Sequence, residues 1–120
     1  MQSKKIEDLV SKHFDFLREK YGFTVDSSGL NFTKEDLSIG VQHAHGALNI
    51  LFTIKGRQFR LFYFPDVLTK VTGEPFSYPE HFFSVVITMG DVNSRLAYDA
   101  KMMQNHCQEV LDVPSKLLEL

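Results

Sequence analysis

The stretch from Leu37 to Phe64 constrains the fold of this chain most strongly, because apolar residues recur there at every second position. The first such row is Leu37, Ile39, Val41 and His43, with Ser38, Gly40 and Gln42 between them. This is the period of a strand with one face on a core. A break around Gly46 predicts a hairpin, and Lys55-Gly56 predicts a second turn. We therefore expect three consecutive antiparallel strands.

The two faces of this predicted sheet differ in character. The inward row of the middle strand is Leu48, Ile50, Phe52 and Ile54. We expect that row to continue in the third strand with Phe59, Leu61 and Tyr63. Phe62 and Phe64 then fall on the opposite face beside Leu51, and an uncovered apolar patch of that kind marks an interface. The sequence therefore predicts that C-terminal helices or a second subunit cover Leu51, Phe62 and Phe64.

Helical periodicity flanks the sheet on both sides. From Ser3 to Tyr21, apolar residues recur at spacings of three and four, and a second such pattern runs from Asp91 to Asp112. Shorter helices are predicted over Asp66 to Val71 and Ser115 to Leu120. The expected fold is a single α+β domain over residues 1–120. It has an antiparallel sheet of 4–5 strands, with a long N-terminal helix and C-terminal helices packed on it.

Two parts of this fold have weaker signals. Short strands from Phe23 to Val25 and from Leu30 to Phe32 are expected to form an edge of the same sheet. The run from Phe82 to Met89 stays open between helix and strand. Its β-branched residues favour a strand, whereas Pro79 before it favours the start of a helix.

Charge and composition exclude several classes of function. Thirteen basic and fifteen acidic residues give a formal net charge of -2, whereas nucleic-acid binding normally requires a basic stripe. No apolar run approaches the roughly 20 residues that span a bilayer. A single cysteine, Cys107, suits a reducing compartment, and no secretory leader is apparent. We expect a cytoplasmic, bacterial-type protein that binds neither nucleic acid nor membranes.

The five histidines raise the question of a metal site. His43 and His45 are two residues apart and would share a face of an extended strand. A zinc site needs a third protein ligand and usually a second shell of hydrogen bonds, and neither is specified here. The simpler alternative is one half-buried histidine at a strand end and one exposed histidine in a turn. The sequence therefore predicts no metal and no other cofactor.

No catalytic motif occurs in the chain. GxSxG, CxxC, HExxH and phosphate-binding glycine loops are all missing. Cys107 falls on an apolar helical stripe, where an unreactive buried thiol is the usual outcome. Acids and bases from distant positions can still assemble an active site, but the sequence favours a protein without catalytic residues.

Aromatic residues cluster in the sequence from the third strand into the loop that follows it. They are Phe62, Phe64, Phe76, Tyr78, Phe82 and Phe83. Two interpretations remain open: these side chains fill the core between sheet and helices, or some of them form a pocket or a protein-binding surface. His81 lies in the same loop and could be a polar group of such a pocket.

The order of these signals resembles a broad group of small bacterial α+β proteins, among them immunity-like proteins of toxin systems and uncharacterised cassette-encoded proteins. The similarity is carried by Phe16-Leu17, Tyr21-Gly22-Phe23, the sheet from Leu37 to Phe64, Leu96, Tyr98 and Ala100, and Val110-Leu111-Asp112. This resemblance implies a non-enzymatic protein that binds another protein. It assigns no contact residue.

Two hypotheses about function follow. The first is a protein-interaction module that binds or occludes a partner, or a second copy of itself as a homodimer, through Leu51, Phe62 and Phe64. The second is a small-molecule-binding domain or minor enzyme, with a pocket between the sheet and residues 76–83. Phe76, Tyr78 and His81 would line that pocket, and His81 or His43 would be its polar group.

Overall fold

The computed structural model of the protein describes residues 2–44, 47–79 and 89–120. Within these ranges the chain forms an α+β fold. The strands are β1 (Thr24–Val25), β2 (Asn31–Lys34), β3 (Leu37–Ala44), β4 (Ala47–Lys55) and β5 (Phe59–Tyr63). The helices are α1 (Gln2–Glu19), α2 (Phe64–Thr72), α3 (Met89–His106), α4 (Gln108–Asp112) and a 3-10 helix (Pro114–Glu119). None of the described helices is long and apolar enough to cross a membrane.

The five strands form one antiparallel sheet in the order β1-β2-β3-β4-β5, so each strand pairs with its neighbour in sequence. Short loops suffice for such a meander, because antiparallel neighbours end and begin at the same side of the sheet. The predicted three-strand centre is present as β3, β4 and β5. The predicted short strands are β1 and β2, which lie at one edge of the sheet, while β5 lies at the other.

The hydrophobic core lies on one face of the sheet, which we call the core face. Alternate residues of β3 and β4, such as Ile39 and Phe52, are buried there against all four α-helices and the 3-10 helix. α1 contributes a stripe that includes Val10, Phe14 and Leu17, each almost fully buried. The predicted fold class, a sheet with N-terminal and C-terminal helices packed on it, is confirmed. The opposite face is called the outer face below.

Contacts between distant elements hold the helices on the core face. The Lys34 Nζ donates hydrogen bonds to the carbonyl oxygens of Leu111 at 2.7 Å and Asp112 at 3.1 Å, which joins β2 to the end of α4. The last carbonyl groups of a helix accept no hydrogen bond from an N–H of the same helix. The ammonium group of Lys34 supplies the missing donor. His13 Nε2 lies 2.7 Å from Asn93 Oδ1 and joins α1 to α3.

The C-terminal region differs from its prediction at two points. The predicted continuous helix from Asp91 to Asp112 is interrupted at Cys107, which separates α3 from α4. Asp91 was expected to begin the helix, but it lies within the first turn of α3. α2 ends as predicted, because Gly73 adopts a left-handed conformation with φ of 75° and its N–H donates to the Thr69 carbonyl. The sequence left helix and strand open for the run from Phe82 to Met89. Residues 82–88 lie outside the described residues, and Met89 is the first residue of α3.

The prediction of which β5 residues face the core is wrong. Phe62 pairs across the ladder with Phe52, and Leu61 pairs with Thr53. Since paired residues of neighbouring strands share a face, Phe62 lies on the core face and Leu61 lies on the outer face. The reason is the turn: Lys55 pairs with Phe59 across a three-residue loop, and this register sets the orientation of every residue that follows.

Candidate protein-binding surface

An exposed apolar patch lies on the outer face of the sheet at β5. Phe59 is 67% exposed, and Leu61 and Tyr63 are each 50% exposed. Leu51 on β4 is partly buried and pairs directly with Tyr63, so it belongs to the same surface. We call these four residues the β5 patch. Their burial in a complex would contribute favourably, because apolar area removed from water is worth about 25 cal/mol per Å².

The rest of the outer face is polar. Two rows across the sheet end at the β5 patch and begin with small or neutral polar residues. They are Thr33, Ser38, Thr53 and Leu61, and Asn31, Gly40, Leu51 and Tyr63. Gln42 and Asn49 form a further polar pair on β3 and β4. The β5 patch is therefore a local apolar surface at one side of a polar face, and such a boundary is typical of a binding surface with a polar rim.

β5 is also an edge strand. In the described part of the chain no strand pairs with its free side. Alternate residues of an edge strand direct their N–H and C=O groups outward, where they can pair with another chain. The β5 patch is therefore adjacent to unpaired backbone groups, and both can contribute to binding.

Basic side chains surround β5. The Arg60 guanidinium carbon lies 5.0 Å from the centre of the Phe62 ring, and the Lys70 Nζ lies 5.4 Å from it. Lys55 and Arg57 are exposed in and beside the turn that precedes β5. A cation near an aromatic ring is attracted by the negative face of the ring, which positions both groups at the strand edge.

The structure separates the three residues that were expected to share a patch. Leu51 lies on the outer face as predicted. Phe62 is on the core face and partly buried, and Phe64 is fully buried as the first residue of α2. The Phe64 ring stacks on Phe52 with ring centres 5.8 Å apart, so it cannot contact a partner. Phe64 is therefore not an interface residue. Phe62 can contact a partner only at the edge of the sheet.

The candidate pocket residues Phe76 and Tyr78 lie together on a different part of the molecule. Their rings meet edge to face at 5.1 Å, and Tyr78 also lies 5.9 Å from Tyr98 of α3. His81, the third candidate of that segment, lies outside the described residues. The segment after α2 thus packs on α3 through its aromatic side chains, which corresponds to the core-filling interpretation for these two residues.

A buried polar cluster connects this segment to α3. The Tyr78 hydroxyl donates a hydrogen bond of 2.8 Å to Asp99 Oδ1, and Arg95 Nε lies 3.4 Å from Asp99 Oδ2. The Arg95 guanidinium stacks over the Tyr78 ring at 3.9 Å and donates from Nη2 to the Leu48 carbonyl at 3.3 Å. We call Tyr78, Arg95 and Asp99 the polar cluster.

Burial changes the ionisation of the polar cluster. Asp99 is 1% exposed, and loss of water raises the pKa of its carboxyl to about 6, although the hydrogen bond from Tyr78 and the charge of Arg95 act in the lowering direction. Burial, followed by the nearby Asp99 charge, also raises the pKa of Tyr78 far above its ordinary value. The tyrosine therefore stays protonated and acts as a hydrogen-bond donor.

The other residues considered for chemistry give no assembled site. His43 is partly exposed at the end of β3, and His45 lies outside the described residues. Among residues 2–44, 47–79 and 89–120, no group of three His, Cys, Asp or Glu side chains could hold a metal ion. Cys107 is fully buried, and burial raises the pKa of its thiol to about 12, so the nucleophilic thiolate is disfavoured.

Several important residues were missed by the sequence analysis. Phe59, Leu61 and Tyr63 were assigned to the core because both faces of β5 carry large apolar residues. Arg95 and Asp99 were not singled out, although an i,i+4 pair of opposite charges on an apolar helix was a visible signal. Comparison with protein-family models, curated proteins and solved structures finds no match to this chain.

Proposed function

We propose that this protein is a non-enzymatic interaction module that acts in the cytoplasm and binds a partner protein through the β5 patch. The observation that supports this most directly is the exposure of Phe59, Leu61 and Tyr63, at 67%, 50% and 50%, side by side on one edge strand. Aromatic and leucine side chains supply large contact areas with few rotatable bonds, so ordering them on binding costs little entropy.

The mechanism is occlusion or scaffolding without chemistry. A partner seated on the β5 patch has its own surface covered by the outer face, as expected for an immunity-like protein. The resemblance noted in the sequence and the local character of the apolar surface support this mechanism. The polar remainder of the outer face, including Gln42 and Asn49, would form the rim of the contact.

Site-specific photo-crosslinking in cells tests the proposal. A photoreactive amino acid at position 61 should crosslink one identified protein, whereas the same group at position 42, on the polar part of the outer face, should not. The identified protein is then purified and its affinity for the wild type is compared with that for Leu61→Asp. We expect at least about a tenfold loss of affinity, since a carboxylate would be buried against apolar surface.

Gln42→Asp is the matched control, because it places the same charge on the same face outside the β5 patch. Equal crosslinking at positions 61 and 42, or equal affinity of the Leu61→Asp variant and the wild type, would show that the patch is not the binding surface. Light scattering of the wild type and Leu61→Asp determines whether the partner is a second copy of this chain. A dimer that dissociates in the variant would identify a homodimer.

A second candidate function is small-ligand binding at the polar cluster. It is favoured by two buried atoms, Arg95 Nε and Asp99 Oδ2, which form an ion pair with each other at 3.4 Å but have no hydrogen-bond partner in the described part of the chain. A buried carboxylate whose pKa is raised and whose hydrogen-bonding capacity is incompletely used is a recognised sign of a site. A thermal-shift screen of small polar compounds tests it. A compound that raises the Tm of the wild type but not of Asp99→Asn would support this candidate, and no such compound would argue against it.

A further inference from the structure

The two sides of β5 present different chemistry to anything that pairs with its free edge. Leu61 and Tyr63 point to the outer face, where they are half exposed. Arg60 pairs with Ile54 and therefore points to the core face, next to the partly buried Phe62. The outer side of β5 is thus apolar, whereas its core-face side holds Arg60 and the ring of Phe62, with the Lys70 Nζ of α2 5.4 Å from that ring.

Four basic residues lie at or beside this edge. Lys55, Arg57, Arg60 and Lys70 make no ion pair within the described ranges, and the aromatic ring of Phe62 holds two of them in place. The rest of the chain has the opposite character. Residues 55–70 hold these four basic residues and one acidic residue, Asp66, whereas the remaining 104 residues hold nine basic and fourteen acidic ones. The basic charge is therefore a local property of the β5 edge.

We propose that β5 accepts an extended protein segment with alternating apolar and acidic residues, which adds to the sheet as a sixth strand. This inference rests on the proposed function and names the chemistry of the partner. Side chains of an added strand alternate between the two faces with the same period as β5. Apolar residues of the segment then lie beside Leu61 and Tyr63, while its carboxylates lie beside Arg60 and Lys70.

Three contributions favour this occupant. Main-chain hydrogen bonds to the free edge supply affinity for any extended segment. The apolar side of the segment covers the β5 patch and removes it from water. Carboxylates on the other side complement the unpaired cations, whereas basic residues there would be repelled by them. Together, these contributions favour a segment in which apolar residues alternate with acidic residues.

Other occupants fit the surface less well. A second copy of this chain paired through β5 would bring its own Arg60 and Lys70 to the same edge, where like charges repel. A nucleic acid needs cations along its path. The outer-face row beyond the β5 patch is instead neutral, with Thr33, Ser38 and Thr53 on the neighbouring strands.

A pair of synthetic peptides tests this proposal directly. The first has an N-terminal tryptophan followed by alternating valine and glutamate, and the second has lysine in place of every glutamate. Because the protein contains no tryptophan, the fluorescence of the peptide reports binding without background. We expect the glutamate peptide to bind at least about tenfold more tightly than the lysine peptide, and its affinity to fall as salt screens the charges.

Charge-reversed variants identify the residues responsible. The double variant Arg60→Glu with Lys70→Glu should reverse the preference, so that the lysine peptide binds more tightly. Arg60→Ala with Lys70→Ala should reduce the preference without reversing it. Lys101→Glu, an exposed position on α3, is the matched control and should leave both affinities unchanged. Leu61→Asp should weaken binding of the glutamate peptide. Circular dichroism establishes that each variant keeps its fold.

The outcomes separate this inference from the proposed function. Equal binding of both peptides, unaffected by charge reversal but lost in Leu61→Asp, would overturn the acidic preference and leave the proposed function standing. If neither peptide binds while the crosslinked partner still depends on Leu61, strand addition is overturned and the proposed function again stands. Binding of a single-stranded oligonucleotide, or self-association through β5, in place of the glutamate peptide would also overturn the inference.

Discussion

The Tyr78 hydroxyl donates a hydrogen bond of 2.8 Å to Oδ1 of Asp99, and this bond joins the segment after α2 to the buried side of α3. Arg95, one turn earlier on α3, stacks on the same tyrosine ring and donates to the Leu48 carbonyl at the start of β4. Three parts of the fold therefore meet in one polar cluster. The contribution of this cluster to the free energy of unfolding can be measured by replacing its members one at a time.

Replacing Tyr78 by phenylalanine should destabilise the fold. The ring is kept, but Asp99 loses its hydroxyl donor while it remains buried, which typically costs about 1–3 kcal/mol. Urea denaturation followed by circular dichroism gives the free energy of unfolding. Tyr63→Phe is the control, because that ring is half exposed on the outer face, and its effect should stay within about 0.5 kcal/mol. Equal effects of the two changes would contradict the described role of Tyr78.

The pKa of Asp99 predicts a specific pH dependence of stability. Burial raises this pKa to about 6 in the folded protein, above the value of about 3.9 for an unfolded chain. Between these values the folded state holds more protons than the unfolded state. The free energy of unfolding therefore falls as pH rises through this window, by up to roughly 3 kcal/mol. The contribution is fully present below about pH 4.

Comparison with Asp99→Asn isolates this contribution, because asparagine does not titrate. Asp15 and Asp26 act in the opposite direction, since hydrogen bonds from Arg18 and Ser28 respectively lower the pKa of their carboxyls, and both aspartates are kept in the variant. The difference in unfolding free energy, wild type minus variant, should decrease from pH 4 to pH 7. A difference that is constant or increases with pH would refute the raised pKa.

Two neighbouring residues of β5 should respond differently to the same substitution. Phe62→Thr removes a partly buried ring from the core face and should cost about 1–3 kcal/mol. Leu61→Thr changes a half-exposed side chain on the outer face, and its effect should stay within about 0.5 kcal/mol. Urea midpoints of the two variants measure this difference. A larger loss for Leu61→Thr would mean that the strand faces the other way.

Lys34 should contribute measurably to stability from its position on β2. Lys34→Met keeps the aliphatic part of the side chain but removes the donor to the carbonyls of Leu111 and Asp112, so we expect a loss of about 1–2 kcal/mol. Lys101→Met, on an exposed side of α3, is the matched control and should change stability little. Both are measured by urea denaturation, and equal losses would exclude the proposed link between β2 and α4.

Cys107 should be unreactive in the folded protein. It is fully buried, and burial raises its pKa to about 12, so both access and the thiolate form are suppressed. We expect labelling by a thiol reagent to be at least roughly a hundredfold slower in the native protein than in concentrated urea. A Ser94→Cys variant in a Cys107→Ser background supplies the exposed comparison. Rapid labelling of native Cys107 would show that α3 and α4 separate readily.

The sequence alone determined the fold class and most of the described secondary structure elements, although not the break between α3 and α4. Apolar spacing of three and four defined α1, and alternation defined β3 and β4, because those segments have one apolar and one polar side. Pro65 and Gly73 bounded α2 through backbone geometry that only these residue types favour. Each of these signals is local, so it can be interpreted without knowing which other helix or strand the segment packs against.

Only the tertiary structure decided which side of β5 is exposed and which distant residues meet. β5 is apolar on both sides, so its pattern does not distinguish a core face from an outer face. The register of the β4–β5 hairpin does, by pairing Phe62 with Phe52. The meeting of Tyr78 with Asp99 has a similar cause. Such contacts arise when helices pack on the sheet, and packing depends on the shape of the whole core, which no short stretch of sequence encodes.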